Sequence, residues 1–199
     1  MTAAIIVVVI VLVVVLAAGL GYNSLVRKRN RTNEAWSQID VELKRRHDLI
    51  PNLVQTVRGY ATHESGTFEA VTDARARAVT AGVTADPKAV AAAENMLSSS
   101  LRSLFAVAEN YPMLRAQEGF LALQEQLAAT EDKLEYARRY YNTSARDYNT
   151  ATQSFPRTLI ASPFGFHPVV FFQADETDKD VPVVDFTTAT TPGAPPTQG

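Results

Sequence analysis

Any side-chain chemistry in this chain would have to draw on His47, Asp48, His63, Glu64, Glu109 or Glu131, because the sequence holds 3 histidines and no cysteine. Their spacing does not assemble them. On one helix, His47 and Glu64 would lie about 25 Å apart, and the adjacent His63 and Glu64 would point about 100° apart, too far for a two-ligand face. No His-Glu-x-x-His, glycine-rich phosphate loop or serine elbow occurs. Glu-x-x-His, with which helical bundles build di-iron centres, is also absent. The missing cysteine removes a disulfide framework, a thiol nucleophile, a cysteine-based zinc site and a lipid-modified N-terminal cysteine. The expectation is a protein with no catalytic residue, metal or cofactor.

Two other polar patterns remain. Arg139-x-Tyr141-Asn142 recurs seven residues later as Arg146-x-Tyr148-Asn149, two helical turns on, so the Tyr-Asn pairs stack on one face. Asparagine is a mediocre helix former, and two at heptad spacing point to amides bonding to a neighbouring helix and fixing register. The alternative is that Tyr141, Asn142, Tyr148 and Asn149 line a small-molecule pocket near the membrane, as in a ligand-sensing or transport-accessory protein. The second pattern is a set of charges beside apolar stripes: Arg46, Glu64, Arg75, Glu94, Glu109, Glu131, and Arg138 or Arg139. A buried charge without a partner is costly. Interhelical ion pairs are therefore expected, with Glu109 and Glu131 accepting from arginines of the first helical segment. Such a network sets register or, as the alternative, grips a partner.

The elements that must position these residues are helices. A stride of three and four residues visits Trp36, Ile39, Leu43, Arg46, Ile50, Leu53, Val57, Tyr60 and Glu64, with Pro51 kinking the helix or opening a new turn. The pattern resumes at Phe68, Val71, Arg75 and Ala78 and breaks at Ala81-Gly82. A second segment opens at Asp86-Pro87, a cap followed by proline at the first helical position. Its seam is Val90, Glu94, Leu97, Leu101, Leu104, Ala108 and Tyr111, closed by Pro112. A third seam runs from Phe120 through Leu127, Leu134, Tyr141 and Tyr148 to Phe155. Each helix carries one apolar stripe, which predicts an all-α antiparallel bundle over residues 27–156. Residues 157–173 read as an irregular or short β segment packing on the bundle or on a partner, with Phe164, Phe166, Phe171 and Phe172 as candidate partner surface. Residues 174–199, acidic and then Thr/Pro-rich, are expected to be disordered.

Before the bundle, residues 3–26 form a candidate transmembrane anchor behind a two-residue external N-terminus. The apolar run from Ala3 to Tyr22 would extend about 30 Å as a helix, the thickness of a hydrocarbon core. Positive charge follows it, at Arg27, Lys28, Arg29 and Arg31, instead of preceding it as a cleaved signal would require. By the positive-inside rule the expectation is a single-pass protein of the cytoplasmic (inner) membrane, N-terminus out and bundle in the cytosol. The four cations also favour anionic head groups. A net charge of −2 argues against nucleic acid as a partner.

These residues, in this order, resemble the LemA family of bacterial proteins. The likeness is carried by the N-terminal span and Trp36 with Ile39-Asp40. It continues through LKRRHDLIPNL (Leu43 to Leu53), Gly59-Tyr60, His63-Glu64, Ala74-Arg75 and AENYPMLRA (Ala108 to Ala116). Phe120-x-x-Leu123-Gln124, Thr130-Glu131, Ala137-Arg138, both Tyr-Asn pairs, Phe155-Pro156 and Ile160-Ala161 complete it. It covers residues 22–172, with Gly119 departing where a helix-favouring residue is usual, a matter of the helix start. The resemblance implies a membrane anchor carrying a bundle of long helices and no established catalytic activity. It also implies relatives linked with membrane remodelling at magnetosomes or encoded beside membrane proteases. The expected role is a non-enzymatic scaffold organising other membrane or envelope proteins, membrane proteases among the candidates, with self-assembly as a further mode.

Overall fold

The computed structural model describes residues 1–172; the acidic and Thr/Pro-rich stretch expected to be disordered lies outside them. The first helix, α1, runs unbroken over Thr2–Arg58, 57 residues and so about 85 Å. Its first part is an apolar run of mean hydropathy 3.4 with no side chain buried, long and apolar enough to cross a membrane. From Leu25 onward one stripe turns inward: Ala35, Ile39, Leu43, Ile50, Leu53 and Val57 are all buried. The change of burial marks where the apolar run gives way to the part of the helix that packs into the bundle.

Two further long helices follow, α2 (Ser65–Thr84) and α3 (Pro87–Glu109), paired along their lengths. Asp86 caps α3 by accepting a hydrogen bond from the Lys88 amide at 3.1 Å, with Pro87 at the first helical position. Ala85 between them takes a left-handed conformation (φ 51°) to end α2. After α3, Pro112 opens a single turn, α4 (Pro112–Arg115), and α5 (Glu118–Gln153) returns alongside α1. The Gln117 side chain accepts from the Phe120 amide at 2.8 Å and starts that helix. A last turn, α6 (Thr158–Ala161), precedes an extended stretch to Phe172, and among the described residues there is no strand.

The core is a column of three layers. The layer farthest from the apolar run joins Leu53 and Val57 to Phe68, Leu104, Ala108 and Phe120, where all four long helices meet. The middle layer joins Ile39 and Leu43 to Val90, Leu134, Tyr141 and Phe172. The layer nearest the apolar run joins Leu25 to Tyr148, Ala151, Ala161 and Phe166. Helices α2 and α3 are shorter than α5 and reach only the middle layer. Below it α1 and α5 run as a pair, and the chain after α6 takes the place of the missing helices.

Candidate functional site

Proline 51 sits within α1 and leaves the helix continuous, which requires a substitute for the hydrogen bond it cannot give. The carbonyl four residues back, that of His47, loses its donor. Arg75 of α2 supplies one, its Nε donating to the His47 carbonyl at 2.7 Å. Arg75 therefore serves the backbone of α1, and its guanidinium plane ties α2 to the one weak turn of that helix. Substituting Arg75→Met is expected to cost about 1–3 kcal/mol of stability. In a Pro51→Ala background, where the amide returns, the cost should fall by half or more. Equal losses in both backgrounds in a denaturation double-mutant cycle would sever the two residues.

One turn below lies a buried charge cluster. Glu94 of α3 is fully buried, and each of its oxygens has a partner on α1. Arg46 Nη1 donates to Oε2 at 3.1 Å, and His47 Nε2 lies 2.6 Å from Oε1. A carboxylate only accepts, so Nε2 is the donor. Arg46 uses its other arm on Ser98 Oγ, 2.7 Å away, and on Glu131 Oε2 at 3.5 Å. Glu131 passes the chain on, its Oε1 lying 3.7 Å from Arg138 Nη1. Burial lowers the Arg138 pKa, with Glu131 opposing that shift and Arg46 adding to it. The Arg138 guanidinium covers the Phe172 ring at 4.9 Å. The cluster thus links α1, α3 and α5 to the extended C-terminal segment.

Of the charges expected to pair, Arg46 and Glu131 meet here, and Arg75 is bound to a carbonyl. Glu109 stands exposed at the end of α3, and Glu64 meets α2 through its backbone carbonyl, which accepts from Thr67 and Phe68. Arg139 points to solvent and pairs with Glu135 one turn away at 2.6 Å, while its neighbour Arg138 turns inward. Glu94 is the hub. Its place in an otherwise apolar seam marked it as buried, but which helix faced it depended on the register of α3 against α1.

The Tyr-Asn repeat is bound by the chain's own backbone instead of by a neighbouring helix. Asn149 Nδ2 donates to the Val169 carbonyl and its Oδ1 accepts from the Val169 amide, both at 2.8 Å. Asn142 does the same with Phe172, at 2.8 and 2.9 Å. The match is one of length: seven helical residues rise about 10.5 Å, and three extended residues advance about 10 Å. Two amides at heptad spacing therefore meet every third residue of an extended chain running the other way. Tyr141 adds a third grip, its hydroxyl donating to the Val170 carbonyl at 2.7 Å. Burial raises the Tyr141 pKa. The phenol thus holds its proton more tightly folded than unfolded, and this grip is complete below about pH 10, weakening as pH rises past it. Tyr148 is fully buried and Tyr141 nearly so. The place a small molecule would take beside this repeat is filled by residues 169–172.

Phe166 and Phe172, expected on a partner surface, are instead core residues at 3% exposure, whereas Phe164 and Phe171 remain exposed. Trp36 meets Tyr141 edge-on at 5.3 Å and lies 6.1 Å from Phe172, which closes the middle layer. In the basic flank, Arg29 covers the Phe166 ring at 5.0 Å and Arg31 donates to the Tyr140 hydroxyl at 3.1 Å. That hydrogen bond is the main cause raising the Arg31 pKa. Arg27 and Arg31 are solvent-exposed and Lys28 partly so.

Fold and site together define a helical-bundle protein whose first helix is long and apolar enough to enter a membrane, with interior polar groups that join its elements to each other. The LemA family matches residues 35–186, and the chain belongs to that family. Among curated relatives, Magnetosome protein MamQ 2 of Paramagnetospirillum magneticum is 26% identical over 186 residues, covering 82% of this chain and 68% of the relative. Protein LemA of Metamycoplasma hominis is 25% identical over 157 residues, covering 79% and 71%. Magnetosome protein MamQ of Magnetospirillum gryphiswaldense is 25% identical, covering 82% and 68%. Family and relatives agree with a membrane-associated helical protein.

Proposed function

We propose that this protein is a non-enzymatic, membrane-tethered scaffold. Its single span holds a rigid bundle against the cytosolic face of the cell membrane, where the bundle organises other membrane or envelope proteins and further copies of itself. The observation that carries this reading is the continuity of α1. Because one helix is both span and bundle wall, the bundle stands on the bilayer at a set height. A mobile tether would leave that height free; this one sets it. The polar interior supports the same reading, since Arg46, Glu94, Asn142 and Asn149 all bind the protein's own groups. The relatives named for the magnetosome support a place at a membrane assembly, and membrane proteases are candidate partners.

The exposed wall between α1 and α5, where Val41 and Tyr136 stand 64% and 69% exposed beside Glu34 and Lys133, is where a partner would meet the bundle. A photo-crosslinking side chain placed at Val41 or Tyr136 of the full-length protein in cells should give discrete adducts with a recurring membrane protein or with a second copy. Adducts with neither, from a protein that stays monomeric in detergent, would overturn the scaffold. In spheroplasts the bundle should resist added protease, and its digestion would reverse the topology.

A further inference from the structure

At the base of the bundle three large apolar side chains are exposed. Phe155, Leu159 and Phe164 are 80%, 66% and 62% exposed, and all lie in the turn that joins α5 to the extended segment. Their neighbours Ala161 and Phe166 are buried in the layer nearest the apolar run. The depth of the turn is set by contacts to α1 from Phe164 and its neighbours. The Phe164 ring meets Tyr22 edge-on at 5.3 Å and Phe166 meets it at 5.4 Å. Ile160 presses on Gly21, where an added Cβ would come within 2.9 Å of its Cδ1. Gly21 and Tyr22 close the apolar run, so the turn sits level with the end of the span.

Among the described residues, the charge within the turn and the first charges along α1 after Tyr22 are cationic. Between Asp147 and Asp175 the sequence has no acidic residue, and within the turn Arg157 is the lone charge, its side chain beside Gly21. Arg27, Lys28 and Arg29 follow about 8–10 Å farther along α1. Aromatic and aliphatic groups at the edge of a span, backed by cations, form the pattern that settles at the boundary between acyl chains and head groups.

The geometry points to a second membrane contact: residues 155–164 form a collar around the base of α1, with Phe155, Leu159 and Phe164 inserted at the bilayer interface and Arg157 among the head groups. The occupant of this apolar patch is the lipid of the same bilayer, by continuity with the span it touches. A lone helix can rotate about its axis and tilt. A collar on one side of that helix fixes both, so the wall carrying Val41 and Tyr136 faces a constant direction relative to the membrane plane.

This inference rests on residues 3–22 being the span, and the test separates the two. The chain has no cysteine, so single replacements Phe155→Cys, Leu159→Cys and Phe164→Cys in the full-length protein can each carry an environment-sensitive fluorophore. Val9→Cys reports the span, and Val41→Cys reports the bundle about 28 Å above it. The proteins are reconstituted in vesicles of phosphatidylcholine and phosphatidylglycerol with spin-labelled lipid quenchers at shallow and deep positions. The collar probes should be quenched by the shallow lipid at least about threefold more than the probe at position 41, and the probe at position 9 by the deep lipid. Collar probes quenched no more than position 41 overturn the collar while a quenched position 9 keeps the span. An unquenched position 9 overturns both. Collar probes that are shielded from water yet unquenched by lipid assign the patch to a protein and overturn the lipid contact.

Discussion

Glu94→Ala is expected to lower the unfolding free energy by about 3–5 kcal/mol. The loss comes from what remains, not from what is removed. Arg46, 5% exposed, keeps Ser98 and the half-exposed Glu131 but loses its one fully buried counter-charge, and His47 Nε2 is left facing a cavity. A domain's whole stability is about 5–15 kcal/mol, so the variant should unfold at markedly lower urea concentration in detergent, followed by far-ultraviolet circular dichroism. Replacing Arg46 as well, as Arg46→Met with Glu94→Leu, should recover the share of the loss that comes from Arg46, because a buried ion pair gains little over well-packed apolar groups, while His47 still lacks its partner. Glu131→Gln is the contrast. Its side chain is 46% exposed, and its removal should cost at most about 1 kcal/mol. A Glu94→Ala variant as stable as Glu131→Gln would show that water reaches the cluster.

The seams were legible because burial on a helix repeats with the helix. Ile39, Leu43, Ile50 and Leu53, then Leu97, Leu101 and Leu104, then Leu134, Tyr141 and Tyr148 were all read from spacing, and all are buried. Partner choice was not legible to the same degree. Adjacent residues point about 100° apart, so whether Arg138 or Arg139 turned inward depended on a rotation of α5 that neither residue encodes. The pairing of Arg46 with Glu94 depended likewise on the offset between α1 and α3. Phe166 and Phe172 lie in a segment that Pro163, Gly165 and Pro168 mark as irregular, packing on the bundle or on a partner, and spacing does not choose between the two. Only the length mismatch between α2–α3 and α5 creates the uncovered strip that an extended chain can fill.

Removing both amides of the repeat, Asn142→Ala with Asn149→Ala, should release that chain. Four hydrogen bonds to Val169 and Phe172 are lost, which at about 0.5–1.5 kcal/mol net each gives a destabilisation of about 2–6 kcal/mol. The loss should be local. Phe172 packs against Trp36, the one tryptophan of the chain, so its departure should shift Trp36 emission to the red. The Val169 and Phe172 amides should exchange with solvent at least about tenfold faster, while amides around Leu53 and Leu104 in the far layer should keep their protection. Asn149→Asp tests direction. It keeps an acceptor for the Val169 amide but sets a carboxylate against the Val169 carbonyl, so it should weaken the segment about as much as alanine does. Unchanged exchange at Val169 and Phe172 in the double variant would transfer the hold on the segment to Tyr141 and the buried Phe166 and Phe172 rings, and leave the heptad spacing of the amides without a task.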